Sequence, residues 1–374
     1  MSHFDLAVVG AGIVGLAHAL AAVRRGWRVV VVDRDAQANG ASIRNFGFVT
    51  VTGQEPGDCW RRAMRSREVW AEVAAQASIR VEHAGLAVAV RCPEAVSVLE
   101  AFAAGEMGRG CEVLSAAAAR ARFPFLRGDG LRAALWSPHE LRVESRTAIP
   151  ALARWLGAAH GVEIRRGTLV HAVDPPRIET SAGTIEAERC VVCPGDDFLT
   201  LFAERLAAYG LSRCKLHMLR VRPDAAHPRL TAAVMSDLGL IRYRGYALLP
   251  EATALRRRLE AERAAALAHG VHLIAVGSAD GTLVVGDSHD DAATPDPFAP
   301  ESVDRLILEE LEAVLGITPP PIVERWIGTY ATAPDRLMLV DRPRAGVRIV
   351  VVTSGTGAST AFAIAEEVVA ELAG

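Results

Sequence analysis

The apolar and polar positions at the start of the chain predict a strand, a turn, a helix and a second strand. Residues 5–9 form a short apolar run, and residues 16–25 carry apolar side chains on one face of a predicted helix. Residues 27–33 form a second apolar run that ends on an aspartate. This order predicts a βαβ unit, the building block of a doubly wound parallel sheet.

The turn between the first strand and the helix is rich in glycine. Residues 10–15 read G-A-G-I-V-G, the dinucleotide-binding fingerprint in its expected place between a strand and a helix. Gly10 permits the tight turn, Gly12 lets a pyrophosphate approach the backbone, and Gly15 lets the helix pack closely on the strand. The helix directs free N–H groups and its positive dipole end at the phosphates. Asp33, at the end of the second strand, is placed to accept hydrogen bonds from a ribose.

The next part of the chain mixes helices and strands after a polar, glycine-containing loop at residues 39–47. The pattern predicts, in order, helix 60–75, strands 81–90 and 131–141, helix 147–159, and strands 161–165, 169–173 and 184–192. The last of these strands leads into a Pro-Gly turn, and an α/β sheet binds its ligands just beyond such strand ends.

Between residues 215 and 318 the pattern changes. It predicts strands 215–221, 239–248, 271–276 and 283–287, with helices at 254–269 and 300–315. Strands that alternate with turns and are interrupted by helices indicate a mostly antiparallel sheet with helices on one side, which suits a substrate domain.

The C-terminal segment predicts a second strand, glycine turn and helix, at residues 347–352, 353–360 and 361–372. It has neither a following strand nor an acidic ribose partner, so we do not expect a second nucleotide site there. The N-terminus of its helix can instead face the part of a cofactor that becomes negative.

Length, composition and charge narrow the class of protein. A chain of 374 residues predicts two domains or one elaborated α/β unit, and 51% hydrophobic with 23% charged residues is ordinary for a soluble globular protein. The net charge of −3 and the lack of a basic tract argue against nucleic acid as a partner. The chain shows neither a leader pattern nor an apolar run long enough for a transmembrane segment, so we expect a cytoplasmic protein.

Two residue types attract attention because of their distribution. Cys190 and Cys193 are the only closely spaced cysteines, and without a second pair we expect small buried residues and no metal site. Lys215 is the single lysine among 41 lysine and arginine residues. It either marks a place that needs a compact, titratable amine or survives by chance, and the sequence leaves both open.

The order of these motifs resembles the flavin-dependent amine oxidoreductases of the D-amino-acid oxidase, glycine oxidase and sarcosine oxidase superfamily. The resemblance covers nearly the whole chain. It rests on the N-terminal glycines with Asp33, the loop 40–47, the Cys-Pro-Gly turn at 193–195, the segment 326–330 with Asp335, and the C-terminal glycine turn. The loop with Phe46, the segment 214–218 and the strand end at 286–289 are most similar to a subgroup associated with phosphonate catabolism.

The resemblance implies FAD as the cofactor. No cysteine near residues 328–337 suggests a covalent flavin link, so we expect FAD to be bound non-covalently. It also implies that Val170 lies against the adenine and that Gly355 and Gly357 lie near the pyrimidine edge of the flavin. The predicted cofactor-binding residues are Gly10, Gly12, Ile13, Val14, Gly15, Asp33, Arg34, Ala41, Ser42, Arg44, Asn45, Phe46, Gly47, Val170, Cys193, Gly195, Gly328, Gly355, Thr356, Gly357, Ala358 and Ser359.

The expected architecture is a discontinuous Rossmann-like FAD-binding domain of α/β type with an α+β substrate domain built on a mixed or antiparallel sheet. Segments 1–80, 141–214 and 319–374 are predicted to form the FAD-binding domain, and segments 81–140 and 215–318 the substrate domain.

Two residues are predicted to act in catalysis. The backbone N–H groups near Gly357 would stabilise negative charge on a reduced flavin, and Lys215 would assist oxygen reduction or bind an anionic substrate group.

The substrate-binding hypothesis centres on an arginine, because an anionic group favours arginine or several donors. If residues 240–246 form a strand, Arg242 and Arg244 share one face and Tyr243 lies on the other. We favour Arg242, with Tyr243, His217, His289 and Tyr330 as weaker candidates. The alternatives are a solvated surface arginine and a structural histidine at 217.

The predicted reaction is hydride transfer from a small amine with an acidic group, favoured to be 2-aminoethylphosphonate or its N-methyl derivative. Water then hydrolyses the imine to an aldehyde and an amine, and O2 takes the electrons to give H2O2. One alternative is a D-amino-acid or glycine/sarcosine-type dehydrogenase that uses a quinone. Another is a flavin-binding protein without turnover.

Overall fold

Two β-sheets with helices packed against them make up the protein, in a computed structural model that describes residues 3–318 and 320–374. The strands are β1 His3–Val9, β2 Val29–Val32, β3 Phe48–Val49, β4 Val81–Val90, β5 Glu112–Ser115, β6 Ala133–Val143, β7 Glu163–Arg165, β8 Val170–Asp174, β9 Arg177–Thr180, β10 Gly183–Val192, β11 Ser212–Val221, β12 Ala233–Ser236, β13 Ile274–Gly277, β14 Leu283–Gly286, β15 Asp290–Ala292, β16 Ile322–Thr332, β17 Met338–Arg344 and β18 Val347–Val352.

Helices connect these strands and cover both sheets. They are α1 Ile13–Val23, α2 Asp58–Gln76, α3 Pro93–Ala104, α4 Ala116–Arg122, α5 Ser145–His160, α6 Ala203–Ala207, α7 Arg244–Ala247, α8 Ala252–Glu262, α9 Ala264–Ala268, α10 Glu301–Leu315 and α11 Gly357–Ala373. Within the described residues, no helix is both long and apolar enough to cross a membrane.

The first sheet contains the predicted βαβ unit. Its order is β17-β18-β10-β1-β2-β7, and the pairs β18–β10, β10–β1, β1–β2 and β2–β7 are parallel. Helices α1, α2, α5 and α11 cover one face around a core that includes Leu16 and Leu152, both fully buried. The hairpin β8–β9 belongs to the other face, where Val170 and Ile178 are buried. Helices on one face of parallel strands bury the continuous apolar runs of these strands.

The second sheet has the order β15-β11-β14-β13-β12-β4-β6-β3, with β16 paired along β11 and β5 along β6. Strand β12 runs parallel to β4, and the other pairs between described strands are antiparallel. The predicted fold class, an α/β sheet with a mixed second sheet, is therefore confirmed.

One predicted strand is wrong. Residues 239–248 form a 3-10 turn at Asp237–Ile241 followed by the short helix α7. The peptide N–H groups of Arg242 and Tyr243 both point back to the Gly239 carbonyl, at 3.2 and 2.9 Å. All five residues of the 3-10 turn are buried, so the apolar pattern reflects burial on every side rather than an alternating strand.

Two further differences concern helix bounds. The predicted helix at 254–269 is interrupted at Arg263 and becomes α8 and α9. The C-terminal helix begins at Gly357, four residues before the predicted start at 361. Helix ends are the least certain part of a sequence-based assignment, because propensity changes little over the last turn.

The predicted domain bounds stay a prediction, and those at residues 1 and 319 lie outside the described residues. Two strands bear on the division. The short strand β3 pairs with β6, and β16 pairs with β11 over most of its length, so both belong to the second sheet. The predicted division places both strands in the FAD-binding segments.

The buried Trp70 links α2 to the C-terminal helix. Its indole Nε1 donates a hydrogen bond to the Ala358 carbonyl at 2.7 Å, and its ring meets Phe362 edge-on with centroids 5.3 Å apart. We predict that Trp70→Phe lowers the free energy of unfolding by about 2 kcal/mol, because it removes the hydrogen bond and leaves a cavity. The half-buried Trp155 on α5 supplies a matched control, Trp155→Phe, with a smaller effect. Urea denaturation checks both values, and equal losses would contradict the prediction.

Candidate functional site

A cavity of about 670 Å³ lies at the carboxyl ends of the parallel strands of the first sheet and reaches the second sheet. Val9, Val32, Val192 and Val352, the last residues of β1, β2, β10 and β18, all line it. The carboxyl edge of an open α/β sheet, next to the first glycine turn, is where such folds bind dinucleotides.

The N-terminal glycines allow a backbone packing that no larger residue would permit. Gly10 has φ +102°, and a Cβ there would lie 2.4 Å from the Cys193 carbonyl oxygen. A Cβ on Gly15 would lie 1.8 Å from the Gly10 carbonyl oxygen. The two glycines therefore let α1 pack on β1 and let the turn after β10 pack on the turn after β1.

Two side chains hold the glycine turn in place. The Ala11 N–H donates to Asp33 Oδ2 at 2.6 Å, and the Ile13 N–H donates to Ser42 Oγ at 2.9 Å. Asp33 Oδ1 also accepts from the Asp35 N–H at 2.8 Å. An ionised carboxylate has about four lone-pair sites, so Asp33 keeps acceptor capacity for ribose hydroxyls after these two bonds.

The side chain of Asn45 stabilises the loop at 41–47 through two hydrogen bonds. Asn45 Nδ2 donates to the Ala41 carbonyl at 2.7 Å, and Asn45 Oδ1 accepts from the Gly47 N–H at 2.7 Å. Gly47 has φ +67°, and a Cβ there would lie 1.7 Å from the Val143 carbonyl oxygen. Gly47, a predicted cofactor-binding residue, does not line the cavity and instead lets the loop pack on β6.

The C-terminal glycine turn presents the N-terminus of α11 to the cavity. Residues 353–359 all line it, and α11 follows for seventeen residues. Gly355 has φ +70°, and a Cβ there would lie 3.1 Å from the Tyr330 ring. The Ser354 hydroxyl donates to the Leu337 carbonyl at 2.9 Å and fixes the turn to the residue before β17. The free N–H groups of this helix end are therefore fixed beside the cavity, as anion binding requires.

Polar side chains gather on the cavity wall formed by the second sheet and by α7. The predicted residues Arg242, Tyr243, His289 and Tyr330 all line it, together with Asp287. Burial raises the pKa of the Tyr243 and Tyr330 hydroxyls, so both stay neutral donors at physiological pH. Burial raises the pKa of the Asp287 carboxyl to about 7, although the Arg242 guanidinium opposes this shift.

Arg242 is an exposed cation on this wall. It follows the buried 3-10 turn and faces the cavity. Among residues 3–318 and 320–374, no side chain or carbonyl group hydrogen-bonds or ion-pairs with its guanidinium. The neighbouring Arg244, by contrast, pairs with Glu55. An arginine without an anionic partner beside a cavity is suited to an anionic ligand.

Two predicted residues lie elsewhere. The alternation of β11 turns Leu216 toward the cavity and Lys215 and His217 away from it. Lys215 Nζ lies 3.0 Å from Asp296 and 3.3 Å from Asp290. Although burial opposes it, these two carboxylates raise the pKa of Lys215, so the amine stays charged. His217 Nε2 lies 2.7 Å from the buried Asp304 carboxylate.

Sequence reasoning missed two residues here, Asp287, which lines the cavity, and His272, which is buried behind it. Asp287 directly follows the buried strand β14 and precedes His289 by two residues, which is a signal that the sequence carried. His272 is buried before β13 and comes close only through the pairing of β13 with β14. The predicted cofactor residues that line the cavity are Gly10, Gly12, Ile13, Val14, Gly15, Asp33, Arg34, Ala41, Ser42, Arg44, Asn45, Phe46, Val170, Cys193, Gly195, Gly328, Gly355, Thr356, Gly357, Ala358 and Ser359.

The parallel sheet, the glycine turn and the cavity at the carboxyl edge define an α/β protein of the dinucleotide-binding class with a second sheet over its site. Residues 5–372 match the DAO family of FAD dependent oxidoreductases, and the chain belongs to that family.

Named relatives agree with this assignment. The bifunctional protein ThiO/ThiG of Nostoc sp. is 24% identical over 362 residues, which cover 90% of this chain and 47% of the relative. The ThiO/ThiG protein of Trichormus variabilis has the same identity and coverage. The chain thus spans about half the length of these relatives.

Solved structures share the fold across nearly the whole chain. Glycine oxidase from Bacillus cereus has a TM-score of 0.76 at 17% identity and covers 99% of this chain and 95% of its own. L-proline dehydrogenase from P. horikoshii has a TM-score of 0.75 at 18% identity, over 98% and 92%. The FAD-bound L-alpha-glycerophosphate oxidase from Mycoplasma pneumoniae has a TM-score of 0.74 at 14% identity, over 100% and 96%.

The residues around the cavity fit FAD, the cofactor of the family. The turn at Gly12 exposes backbone at the start of α1, where a pyrophosphate would bind, and Asp33 retains acceptor sites for a ribose. The start of α11 supplies further N–H donors beside the second sheet. Burial raises the pKa of the Cys193 thiol, which keeps this cavity cysteine protonated and unreactive. Non-covalent binding stays a prediction.

The pyrophosphate site can be tested at Gly12. A Cβ there would lie 2.9 Å from Ser42 Oγ, so an alanine would disturb the hydrogen bond to the Ile13 N–H and occupy the phosphate approach. We predict that Gly12→Ala weakens FAD binding about tenfold or more, or about 1.4 kcal/mol. Titration of the apoprotein with FAD measures the change.

Gly157→Ala is the matched control, because a Cβ at Gly157 on α5 would make only an ordinary contact, 3.5 Å from the Val162 carbonyl oxygen. The control should keep the wild-type affinity. An unchanged affinity in Gly12→Ala would mean that this turn does not hold the pyrophosphate.

Proposed function

We propose that the protein uses FAD to oxidise a small amine that carries an anionic group. The observation that carries the proposal is Arg242, a cation on the cavity wall with no anionic partner among the described residues. Tyr243 and Tyr330, both neutral donors, line the same wall. A guanidinium with hydroxyl donors beside it is suited to hold a carboxylate or a phosphonate.

The walls of the cavity favour a dry site around the reacting carbon. Phe46, Leu216 and Ile274 line it next to the polar residues, and all three are buried. An apolar surrounding lowers the pKa of an amine, and a neutral nitrogen is the form that gives up a hydride from its carbon. FAD, when bound, supplies the chemistry by taking two electrons as a hydride from the carbon that bears the nitrogen.

The N-terminus of α11 contributes the electrostatic part of the mechanism. Its N–H groups and positive dipole end line the cavity from Gly357 onward. Fixed dipoles that point at the place where negative charge develops stabilise the transition state without reorganisation. Gly357 thus serves catalysis through the backbone rather than through a side chain.

Within this class we favour 2-aminoethylphosphonate or its N-methyl derivative as the substrate. Support comes from the segments that resemble the phosphonate-associated subgroup, since Phe46, Leu216, Asp287 and His289 from those segments line the cavity. An α-amino acid carboxylate is the alternative anion. Relatives of similar fold carry the names of oxidases and of a dehydrogenase, so the electron acceptor is tested together with the substrate.

The deciding experiment is anaerobic mixing of the FAD-loaded protein with a panel of amines. The panel contains glycine, sarcosine, D-alanine, 2-aminoethylphosphonate, N-methyl-2-aminoethylphosphonate and the neutral amine ethanolamine. Bleaching of the flavin by acidic amines, with no bleaching by ethanolamine, supports the proposal. A flavin that keeps its colour with every amine would favour a binding protein without turnover.

The electron acceptor follows from the same reduced protein. Admission of O2 with formation of H2O2 identifies an oxidase. Reoxidation only by a quinone or an artificial acceptor identifies a dehydrogenase and overturns the oxidase assignment.

The role of Arg242 gives a direct mutational test. We predict that Arg242→Met lowers kcat/KM for the acidic amine by about 2–5 kcal/mol, roughly 30-fold or more, because the substrate anion loses its charged partner. Steady-state kinetics measures this loss. Arg305→Met on α10 is the matched control, since Arg305 is exposed and lies outside the cavity. Wild-type kinetics in Arg242→Met would remove this arginine from the substrate site.

A further inference from the structure

A buried group of one carboxyl and two imidazoles lies at the cavity wall next to Arg242. His272 Nδ1 lies 3.4 Å from Asp287 Oδ1, and His289 Nε2 lies 3.6 Å from Asp287 Oδ2. The two imidazole rings are tilted against each other with centroids 5.0 Å apart. Asp287 and His289 line the cavity, and Asp287 is only 4% exposed. A carboxyl group thus lies between two imidazoles at the cavity wall.

The hydrogen bonds of His289 fix where its proton lies. Its Nδ1 is 3.0 Å from the Gly270 carbonyl oxygen, which can only accept, so Nδ1 carries the hydrogen. In the neutral ring, Nε2 therefore presents a lone pair to Asp287 Oδ2. A lone pair and a carboxylate oxygen repel each other at this distance unless one proton lies between them. The pair Asp287–His289 is thus built to hold a proton.

The second imidazole leaves the other carboxyl oxygen without a good partner. Among residues 3–318 and 320–374, neither His272 Nδ1 nor Asp287 Oδ1 makes a hydrogen bond, although both atoms are fully buried. His272 Nε2 lies 3.4 Å from the Tyr243 hydroxyl on the same wall. A buried polar atom without a partner is costly, so Asp287 Oδ1 is an acceptor that awaits a donor.

From this geometry we propose that Asp287, paired with His289, is the group that takes the proton from the ammonium of the substrate. The inference rests on the proposed function and deepens it. Arg242 lines the same cavity, so a small amine whose anionic group meets Arg242 brings its nitrogen to the carboxyl–imidazole pair. An ammonium group is also the donor that Asp287 Oδ1 lacks.

The proton step balances without a further reactant. The substrate enters as R–CH2–NH3+, one N–H bond breaks, and the proton moves to the Asp287–His289 pair. The nitrogen lone pair that is set free then supports departure of a hydride from the adjacent carbon, and the carbon–nitrogen bond becomes an iminium. The two electrons leave with that hydride, for which FAD, when bound, would be the acceptor, and water hydrolyses the iminium to an aldehyde and an ammonium ion. The proton on the pair returns to solvent before the next turnover.

The charges around Asp287 set the pH at which the pair accepts a proton. Arg242, His272, His289, Tyr243 and Tyr330 face it from the surrounding elements. Burial raises the pKa of the carboxyl to about 7, and Arg242 opposes the rise. Burial holds the pKa values of both imidazoles well below their usual range. The pair accepts only in its deprotonated form, so flavin reduction should speed up as the pH rises through about 7.

A metal ion is an alternative occupant, because His272, Asp287 and His289 offer nitrogen and oxygen atoms that all lie within 4.8 Å of one another. The guanidinium of Arg242 lies near enough to shift the pKa of all three groups and would repel a divalent cation. A proton is therefore the occupant that the charges favour, and the metal becomes an outcome of the test.

The kinetic experiment follows anaerobic flavin reduction by the best amine of the panel in a stopped-flow instrument, from about pH 5.5 to about pH 9.5. The wild type should show a rise with an apparent pKa near 7. Asp287→Asn, which keeps the shape of the side chain, should lose this rise and be slower by about 100-fold or more at pH 7. A fluorinated amine of low pKa, which arrives neutral, should restore much of the rate.

The matched control is Asp129→Asn, because Asp129 is an exposed carboxylate outside the cavity. It should keep the wild-type pH profile. His289→Gln should shift the profile without loss of FAD. The FAD content of each variant and its melting temperature show that the fold is intact.

A spectroscopic measurement tests the same pair without turnover. In infrared difference spectra, the C=O stretch of a protonated carboxyl group should disappear as the pH rises through about 7 and should be missing in Asp287→Asn. A pH profile in Asp287→Asn equal to that of the wild type, or no such band, overturns the inference. Stoichiometric metal whose removal by EDTA abolishes flavin reduction overturns it as well.

The two proposals fail in different ways. If no amine bleaches the wild-type flavin, both the proposed function and this inference are wrong. If acidic amines bleach it and Asp287→Asn behaves as the wild type, only the role of Asp287 is wrong.

Discussion

The close approach of backbone to backbone at the carboxyl edge of the first sheet is the constraint on which the site depends. A Cβ on Gly10 or on Gly15 would lie well inside contact distance of a carbonyl oxygen. Because both positions carry glycine, α1 packs on β1, the turn after β10 closes over the turn after β1, and the start of α1 stays open to a ligand. The cavity is therefore a consequence of missing side chains, and a phosphate can approach the backbone because nothing covers it.

The same edge gathers two helix N-termini around one space. The start of α1 and the start of α11 both line the cavity, one after β1 and the other after β18. Each adds partial positive charge from free N–H groups, which favours a ligand that is negative at two places. FAD is negative at its pyrophosphate, and its flavin ring gains negative charge on reduction, so it suits both helix N-termini. In the proposed function, the backbone would thus supply much of the electrostatic stabilisation, and no side chain would have to titrate for it.

The second sheet brings side-chain charge to that space. Arg242 stands on the wall without an anionic partner among the described residues, while the carboxyl of Asp287 is buried beside two neutral imidazoles. Burial makes each of these groups sensitive to what binds next to it, because a charge in a dry site is stabilised mainly by its neighbours. An acidic amine carries one charge of each sign and matches a cation and a proton acceptor on one wall.

Local sequence patterns predict much of the fold and some of the site. They fail where burial or side-chain direction depends on distant segments of the chain. The glycine spacing predicted the turn and the place of Asp33 beside it, because a βαβ unit is closed within about thirty residues. The segment 239–248 failed, since an apolar run that is buried on all sides loses the period that separates a strand from a turn. The hypothesis that Lys215 acts on oxygen or on the substrate gains no support from its position. The alternation along β11 directs its side chain away from the cavity and toward the exposed Asp290 and Asp296.

The sequence by itself determined the N-terminal βαβ unit and most of the order of the elements, because glycine spacing and apolar period are properties of neighbouring residues. Its resemblance to a known superfamily pointed to the family and to FAD. Only the tertiary structure decided which polar side chains share the cavity. His272 meets Asp287 because β13 and β14 pair, and Arg242 reaches the same wall because a buried 3-10 turn, not a strand, precedes it. These side-chain contacts depend on sheet register and on packing between distant segments, which no local pattern encodes.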